Sequence, residues 1–171
     1  MLILETQVLH WPTEAHCASF AHSLALALSA GPSQSAVPGP INASIELHGA
    51  LGSGKTTLVR HLLRAFGVTG RIKSPSYAVL ESYTTEHGEI SHFDFYRFAD
   101  PIEWEDAGFR DIFAAPGLCL SEWPEKAAGM LPDADLQIWL ETQADESRTV
   151  RLLAHTTRGV QIMQALPEAS V

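Results

Sequence analysis

The sequence predicts an α/β fold in three layers, with a mainly parallel sheet and some antiparallel hairpins. Three observations carry that expectation. Strand-like and helix-like segments alternate along the 171 residues. A glycine-rich turn joins a short strand to an amphipathic helix, as in parallel α/β units. Two further strand candidates are joined by the tight turn Glu86-His87-Gly88, which suits an antiparallel hairpin.

Taken in order, Leu2–Leu9 alternates apolar and polar residues as a strand does. Trp11-Pro12-Thr13-Glu14 reads as a helix start with Thr13 as N-cap, and Phe20, Leu24 and Leu28 continue it to about Ala30. Gly31–Ser44 carries three prolines and no charge, which predicts a surface loop. Ser44–His48 is a short strand, and Thr56–Phe66 a helix with Leu58, Val59, Leu62, Leu63 and Phe66 on one face and Gly67 as its stop. Tyr77–Thr84 and Glu89–Phe95 form the hairpin. Asp100–Phe113 suggests two short helices interrupted near Gly108. Gly117–Ser121 is a brief apolar strand, Leu136–Glu141 and Thr149–His155 are strands, and Thr157–Leu166 is a closing helix.

At about 150 residues per domain, the length argues for one domain over 1–171. Hydrophobic residues make up 46% and charged residues 18%, a globular composition. Two cysteines, Cys17 and Cys119, make no disulfide scaffold, and no apolar run reaches a membrane span. The N-terminus lacks a signal-peptide pattern, so a cytoplasmic location is expected. The net charge of −9 argues against unaided RNA or DNA binding. Charge is also segregated. Residues 47–80 hold five basic residues and no acid, whereas residues 81–125 hold eleven acids against Arg97 and Arg110. That suggests one face for anions and another for cations or a basic partner, although charges on solvated faces would look the same.

Gly49-Ala50-Leu51-Gly52-Ser53-Gly54-Lys55-Thr56 matches G-x-x-x-x-G-K-[ST] in full, between a predicted strand and a predicted helix. Glycines let backbone N–H groups turn towards phosphate oxygens, and the helix N-terminus favours the same anion. Lys55 is placed to reach the β- and γ-phosphates, and the Thr56 hydroxyl to ligate Mg²⁺. Such a site needs a carboxylate for the metal and a group to place water. Glu122 follows the apolar Leu118-Cys119-Leu120-Ser121, and Asp94 follows Ile90-Ser91-His92-Phe93. The chemistry leaves open which of the two orients water.

Four separated motifs, namely HGALGSGKTTLVRHLL, Lys73-Ser74-Pro75-Ser76-Tyr77, His92-Phe93-Asp94-Phe95-Tyr96-Arg97 and Glu122-Trp123-Pro124, together resemble the bacterial TsaE family. The resemblance runs from about Leu9 to Leu166. It implies a P-loop NTPase fold and a Mg²⁺-dependent ATPase required for threonylcarbamoyladenosine at position 37 of tRNAs reading codons that begin with A. It implies action on the TsaD–TsaB pair, with tRNA met only through that complex and no membrane or DNA partner. It places nucleotide contacts on Leu51, Gly52, Ser53, Gly54, Lys55, Thr56, Thr57, Trp123 and Arg148, the metal on Thr56 and Glu122, and catalysis on Asp94 and Glu122. Lys73–Tyr77 would be a switch-like loop. Three positions depart from the family pattern: Ala50 replaces an Asp, Ser76 a Thr, and Cys17 a Thr near the adenine.

Other features weigh less. His10, His16, Cys17 and His22 lack zinc spacing. His48 and His92 read as packed histidines. The helix face of Arg60, His61 and Arg64 suits either an acidic partner or tRNA phosphate, or simply solvent. Trp104 suits an interface anchor or the core equally, and Trp11, Trp139, Phe66 and Phe113 suit the core. Two rival functions share the phosphate loop: a small-molecule kinase, which the lack of an arginine-rich lid disfavours, and a nucleotide-gated binding module with incidental hydrolysis.

Overall fold

The apolar stripe of the helix after the glycine-rich turn must be buried, and the sheet supplies the surface that buries it. The computed structural model describes residues 1–30, 40–75 and 77–168. Its elements are β1 (Glu5–Trp11), α1 (Glu14–Ser29), β2 (Ala43–His48), α2 (Lys55–Ala65), β3 (Leu80–Thr85), β4 (Gly88–Asp94), α3 (Pro101–Asp106), α4 (Phe109–Ala114), β5 (Leu118–Glu122), β6 (Leu136–Thr142), β7 (Arg148–Ala154) and α5 (Thr157–Ala165). A 3₁₀ turn, Pro124–Ala127, follows β5.

The seven strands form one sheet in the order β1-β7-β6-β2-β5-β4-β3. Its centre, β6-β2-β5-β4, is parallel, and β7, β1 and β3 pair antiparallel at the flanks. The α/β expectation therefore holds, with the parallel pairings gathered in the middle. Because β2, β4 and β5 run the same way, their C-terminal ends bring His48, Asp94 and Glu122 to one edge. In open α/β sheets that edge is where ligands bind.

Alternation divides the side chains between two faces. Ile45 and Leu47 of β2, Leu118 and Leu120 of β5, Ile138 of β6 and Leu152 of β7 share one core with Leu24 and Leu28 of α1, Leu58 and Leu62 of α2, and Ile162 of α5. On the other face Phe93 and Cys119 join Phe95, Phe98, Trp104 of α3 and Phe109 of α4 in an aromatic core. Among the described residues, no helix is long and apolar enough to cross a membrane.

Several boundaries move. The first strand runs Glu5–Trp11 rather than Leu2–Leu9, because pairing with Arg148–Ala154 sets its register. Thr13 holds the N-cap position, but its hydroxyl meets His16 Nδ1 at 3.0 Å and makes no cap bond. Of the loop Gly31–Ser44, residues 31–39 lie outside the described residues, and β2 already begins at Ala43. The strand expected from Tyr77 starts at Leu80. Before it the chain turns, with Val79 N–H donating to Pro75 O at 2.7 Å and Val79 at φ 66°. The fifth strand includes Glu122 rather than ending before it.

Candidate functional site

A loop that wraps an anion must bring backbone close to backbone, and Gly49 shows the constraint. A Cβ there would lie 2.5 Å from Ser53 Oγ and 2.6 Å from Leu140 O. Gly54 takes φ 105° as the N-cap of α2, a conformation that glycine adopts at little cost. Helix α2 then begins at Lys55, with its N-terminus facing the loop. The Lys55 ammonium is buried and donates to Gly49 O at 2.6 Å and Ala50 O at 2.9 Å. It also sits 4.2 Å from the centre of the Trp123 ring. Burial holds its pKa below the usual 10.5, while Glu122, Glu125 and Asp94 pull it back up.

The carboxylates arrive on the adjacent parallel strands. Asp94 of β4 and Glu122 of β5 are register partners, and both are buried. Thr56 Oγ1 donates to Glu122 Oε1 at 2.8 Å, so the first turn of α2 is tied directly to the end of β5. The other carboxylate oxygen, Oε2, lies 2.6 Å from Nε2 of the fully buried His92. Asp94 Oδ1 accepts from Tyr96 N–H at 2.9 Å. Burial raises the Asp94 pKa above 3.8, opposed by that hydrogen bond; the Glu122 charge raises it further.

Trp123 follows with φ 55° and ψ 47°, a left-handed conformation that costs about 1–2 kcal/mol for a residue with a Cβ. The turn sets its ring between Lys55 and Tyr96, whose ring centre is 4.9 Å away.

Most of the residues that the sequence singled out line one cavity of about 390 Å³. Leu51, Gly52, Gly54, Lys55, Thr56 and Thr57 form its loop side, and Asp94, Glu122, Trp123 and Arg148 close it. Ser53 is the exception: it faces a neighbouring cavity of about 400 Å³ with Trp11, Glu14 and Cys17. Gly54, Thr57 and Arg148 line both cavities. Arg148 Nε donates to Ser53 O at 2.9 Å, so it braces the loop. Burial pushes the Cys17 thiol up to about 12, with Glu14 adding to the effect. Of the predicted switch loop, Ser74 lines the cavity of Lys55 and Asp94 and Tyr77 stacks under Arg97 at 4.5 Å, while Ser76 lies outside the described residues.

The donor set suits a hard cation held together with phosphates. Thr56 and Glu122 offer oxygen ligands, as Mg²⁺ prefers. Among the described residues no group of three or more His, Cys, Asp or Glu is placed to hold a metal by protein ligands alone.

His92 read as a packed histidine, which its complete burial bears out, but sequence reasoning missed its contact with Glu122. The alternation of β4 could have found it, since His92 and Asp94 are two residues apart and point to the same face. Trp139 is half-buried and stacks on His48 at 4.1 Å, on the sheet face opposite the aliphatic core. Arg64, part of the expected basic helix face, donates to Val68 O and Gly70 O and holds the turn after α2.

Residues 11–150 match the family model for threonylcarbamoyl adenosine biosynthesis protein TsaE. The chain is 44% identical over 121 residues to a tRNA threonylcarbamoyladenosine biosynthesis protein TsaE of Haemophilus influenzae, covering 71% of this chain and 76% of that protein. It is 33% identical over 119 residues to the Bacillus subtilis protein of the same name, covering 70% and 72%. Among solved structures, Bacillus subtilis YdiB superposes with a TM-score of 0.70 at 22% identity, over 96% of this chain and 95% of that one.

Proposed function

This chain belongs to the TsaE family of threonylcarbamoyl adenosine biosynthesis proteins, and we propose that its part in that biosynthesis is to bind and hydrolyse ATP with Mg²⁺. Its target is the TsaD–TsaB pair in the cytoplasm, and it meets tRNA only through that complex. The observation that carries this reading is the Thr56–Glu122 hydrogen bond, made inside the cavity that Lys55 and Asp94 also line.

The chemistry follows from the side chains. Lys55 exchanges its two loop carbonyls for phosphate oxygens, replacing neutral acceptors with charged ones. The Thr56 hydroxyl keeps its proton on Glu122, which turns its oxygen lone pairs away from the carboxylate and towards the metal. Mg²⁺, when bound, neutralises charge on the β- and γ-phosphates. Thr56 and His92 already engage the two Glu122 oxygens, which leaves Asp94 to orient the attacking water. Its raised pKa makes it a better proton acceptor than an ordinary aspartate. Trp123 covers the Lys55 side of the cavity, and Arg148 holds the loop from the other.

Phosphate release tests the reading. Slow turnover is expected for the chain alone and faster turnover with purified TsaD–TsaB, both lost in Lys55→Ala. Stoichiometric phosphorylation of an added metabolite would instead indicate a kinase. Absence of phosphate release under every condition would leave only a nucleotide-gated binding module.

A further inference from the structure

We propose that His92 is a positioning residue for the metal: it fixes the Glu122 carboxylate so that one oxygen serves Thr56 and the metal side. The inference rests on the Mg²⁺–nucleotide reading of the site and goes one residue deeper.

A glutamate side chain has three rotatable bonds and a carboxylate that can turn about the last of them. Nothing in the strand itself selects the orientation in which Oε1 meets Thr56. The selection comes from the other oxygen. His92 Nε2 lies 2.6 Å from Oε2, and His92 is wholly excluded from solvent while Glu122 is 2% exposed. A carboxylate oxygen accepts, so Nε2 carries the proton and the tautomer is set. His92 Nδ1 has no hydrogen-bond partner among the described residues. The ring therefore spends its one directed interaction on Glu122.

Its backbone is equally fixed. His92 lies within β4, opposite Glu81 of β3 and Leu120 of β5, so strand pairing on both sides holds the ring in place. The chain Thr56–Glu122–His92 thus runs from the first turn of α2 to the middle of a paired strand. This is the arrangement by which an outer partner orients a metal-side carboxylate. It also accounts for a polar ring in a position that strand alternation assigns to the inner face with Ile90.

The test is the affinity for a non-hydrolysable ATP analogue, measured calorimetrically with Mg²⁺ and again with EDTA. The ratio of the two isolates the metal's contribution. In His92→Leu the Mg²⁺-dependent gain should fall by about 10–100-fold, the usual effect of losing an outer-shell partner, while affinity in EDTA stays at the wild-type value. His92→Gln, whose amide can donate to Oε2, should recover much of the gain, which a merely space-filling role would not predict. Binding of Mn²⁺ in place of Mg²⁺, followed by its electron paramagnetic resonance signal, should weaken in the same order. If His92→Leu does not fold, a full wild-type gain in His92→Ala, which also lacks a donor, would still overturn the proposal. A full wild-type gain in His92→Leu overturns it directly. If the wild-type chain itself shows no Mg²⁺-dependent gain, the Mg²⁺–nucleotide reading fails instead, so the two failures are distinct.

Discussion

On one side of the sheet α1 and α2, sixteen and eleven residues long, bury an aliphatic surface of Leu24, Leu28, Leu58 and Leu62 against Ile45, Leu47 and Ile138. On the other side α3 and α4, six residues each, rest on rings: Trp104 and Phe109 against Phe93 and Phe95. Helices that short are well below the roughly 12–15 residues at which isolated helices become even marginally stable, so they depend on packing. Asp100 caps α3 through Ile102 N–H at 2.9 Å, and Pro101 sits in its first turn. The site lies where these regions meet. Its phosphate loop is rooted in the aliphatic side through α2, while Asp94, Tyr96 and Arg97 lead directly into the aromatic side. On the proposed reading, the first region holds the anion through α2, and the second supports the end of β4 that carries Asp94.

The largest effect should come from attacking the aromatic side. Trp104→Ala should cost about 3–5 kcal/mol, read as a lowered urea midpoint. Nucleotide affinity in EDTA, measured below the transition, should be unchanged, because the loop is rooted in the other core. Trp104 Nε1 has no partner among the described residues, so Trp104→Phe should cost much less. Equal loss of nucleotide affinity in both variants would break the division of labour.

Asp94→Asn probes the seam between the regions. It keeps the Oδ1 acceptor for Tyr96 but removes the charge, and phosphate release should fall by about 10²–10⁴-fold. Stability should move the other way. The folded-state pKa of Asp94 is raised, so the folded chain binds the proton more tightly than the unfolded one. Stability therefore falls as pH rises from 3.8 through the folded pKa. The ionised group is a net cost at neutral pH. Asp94→Asn should raise Tm at about pH 7, with the difference vanishing below about pH 4.

Lys55→Ala tests the aliphatic side. It should weaken ATP binding by about 3 kcal/mol, roughly a hundredfold, by removing charge-assisted hydrogen bonds to phosphate. Thermal stability without nucleotide should hold or rise, because a buried ammonium whose pKa is depressed by desolvation is removed. The smallest effect belongs to the far end of the sheet. Thr156 Oγ1 caps α5 by accepting from Gly159 N–H at 3.1 Å and donates to Asp135 at 2.6 Å. Thr156→Ala should cost about 1 kcal/mol, a Tm loss of about 2–4 °C, and leave phosphate release untouched.

The two regions were not equally legible in the sequence. The phosphate loop and α2 were plain because glycine spacing and helical periodicity are local properties. The acidic stretch after Asp100 gave two short helices for a similar reason, with Gly108 as the punctuation between them. The register that sets Asp94 opposite Glu122 depends on which strands neighbour each other, and no local pattern states that. The left-handed backbone at Val79 and Trp123 was hidden too, since neither residue type advertises it. His92 looked like core because burial and hydrogen bonding to a buried acid leave the same trace in a strand. Thr13 was legible as the N-cap of α1, whereas the engagement of its hydroxyl with His16 rather than with the helix backbone was not.

A crystal structure with a non-hydrolysable ATP analogue and Mg²⁺ tests the central claim most directly. The account predicts phosphates in the loop from Gly49 to Thr56, Lys55 Nζ moved from the Gly49 and Ala50 carbonyls onto phosphate oxygens, and the metal beside Thr56 and Glu122. A nucleotide bound elsewhere, or a metal remote from both Thr56 and Glu122, would contradict it.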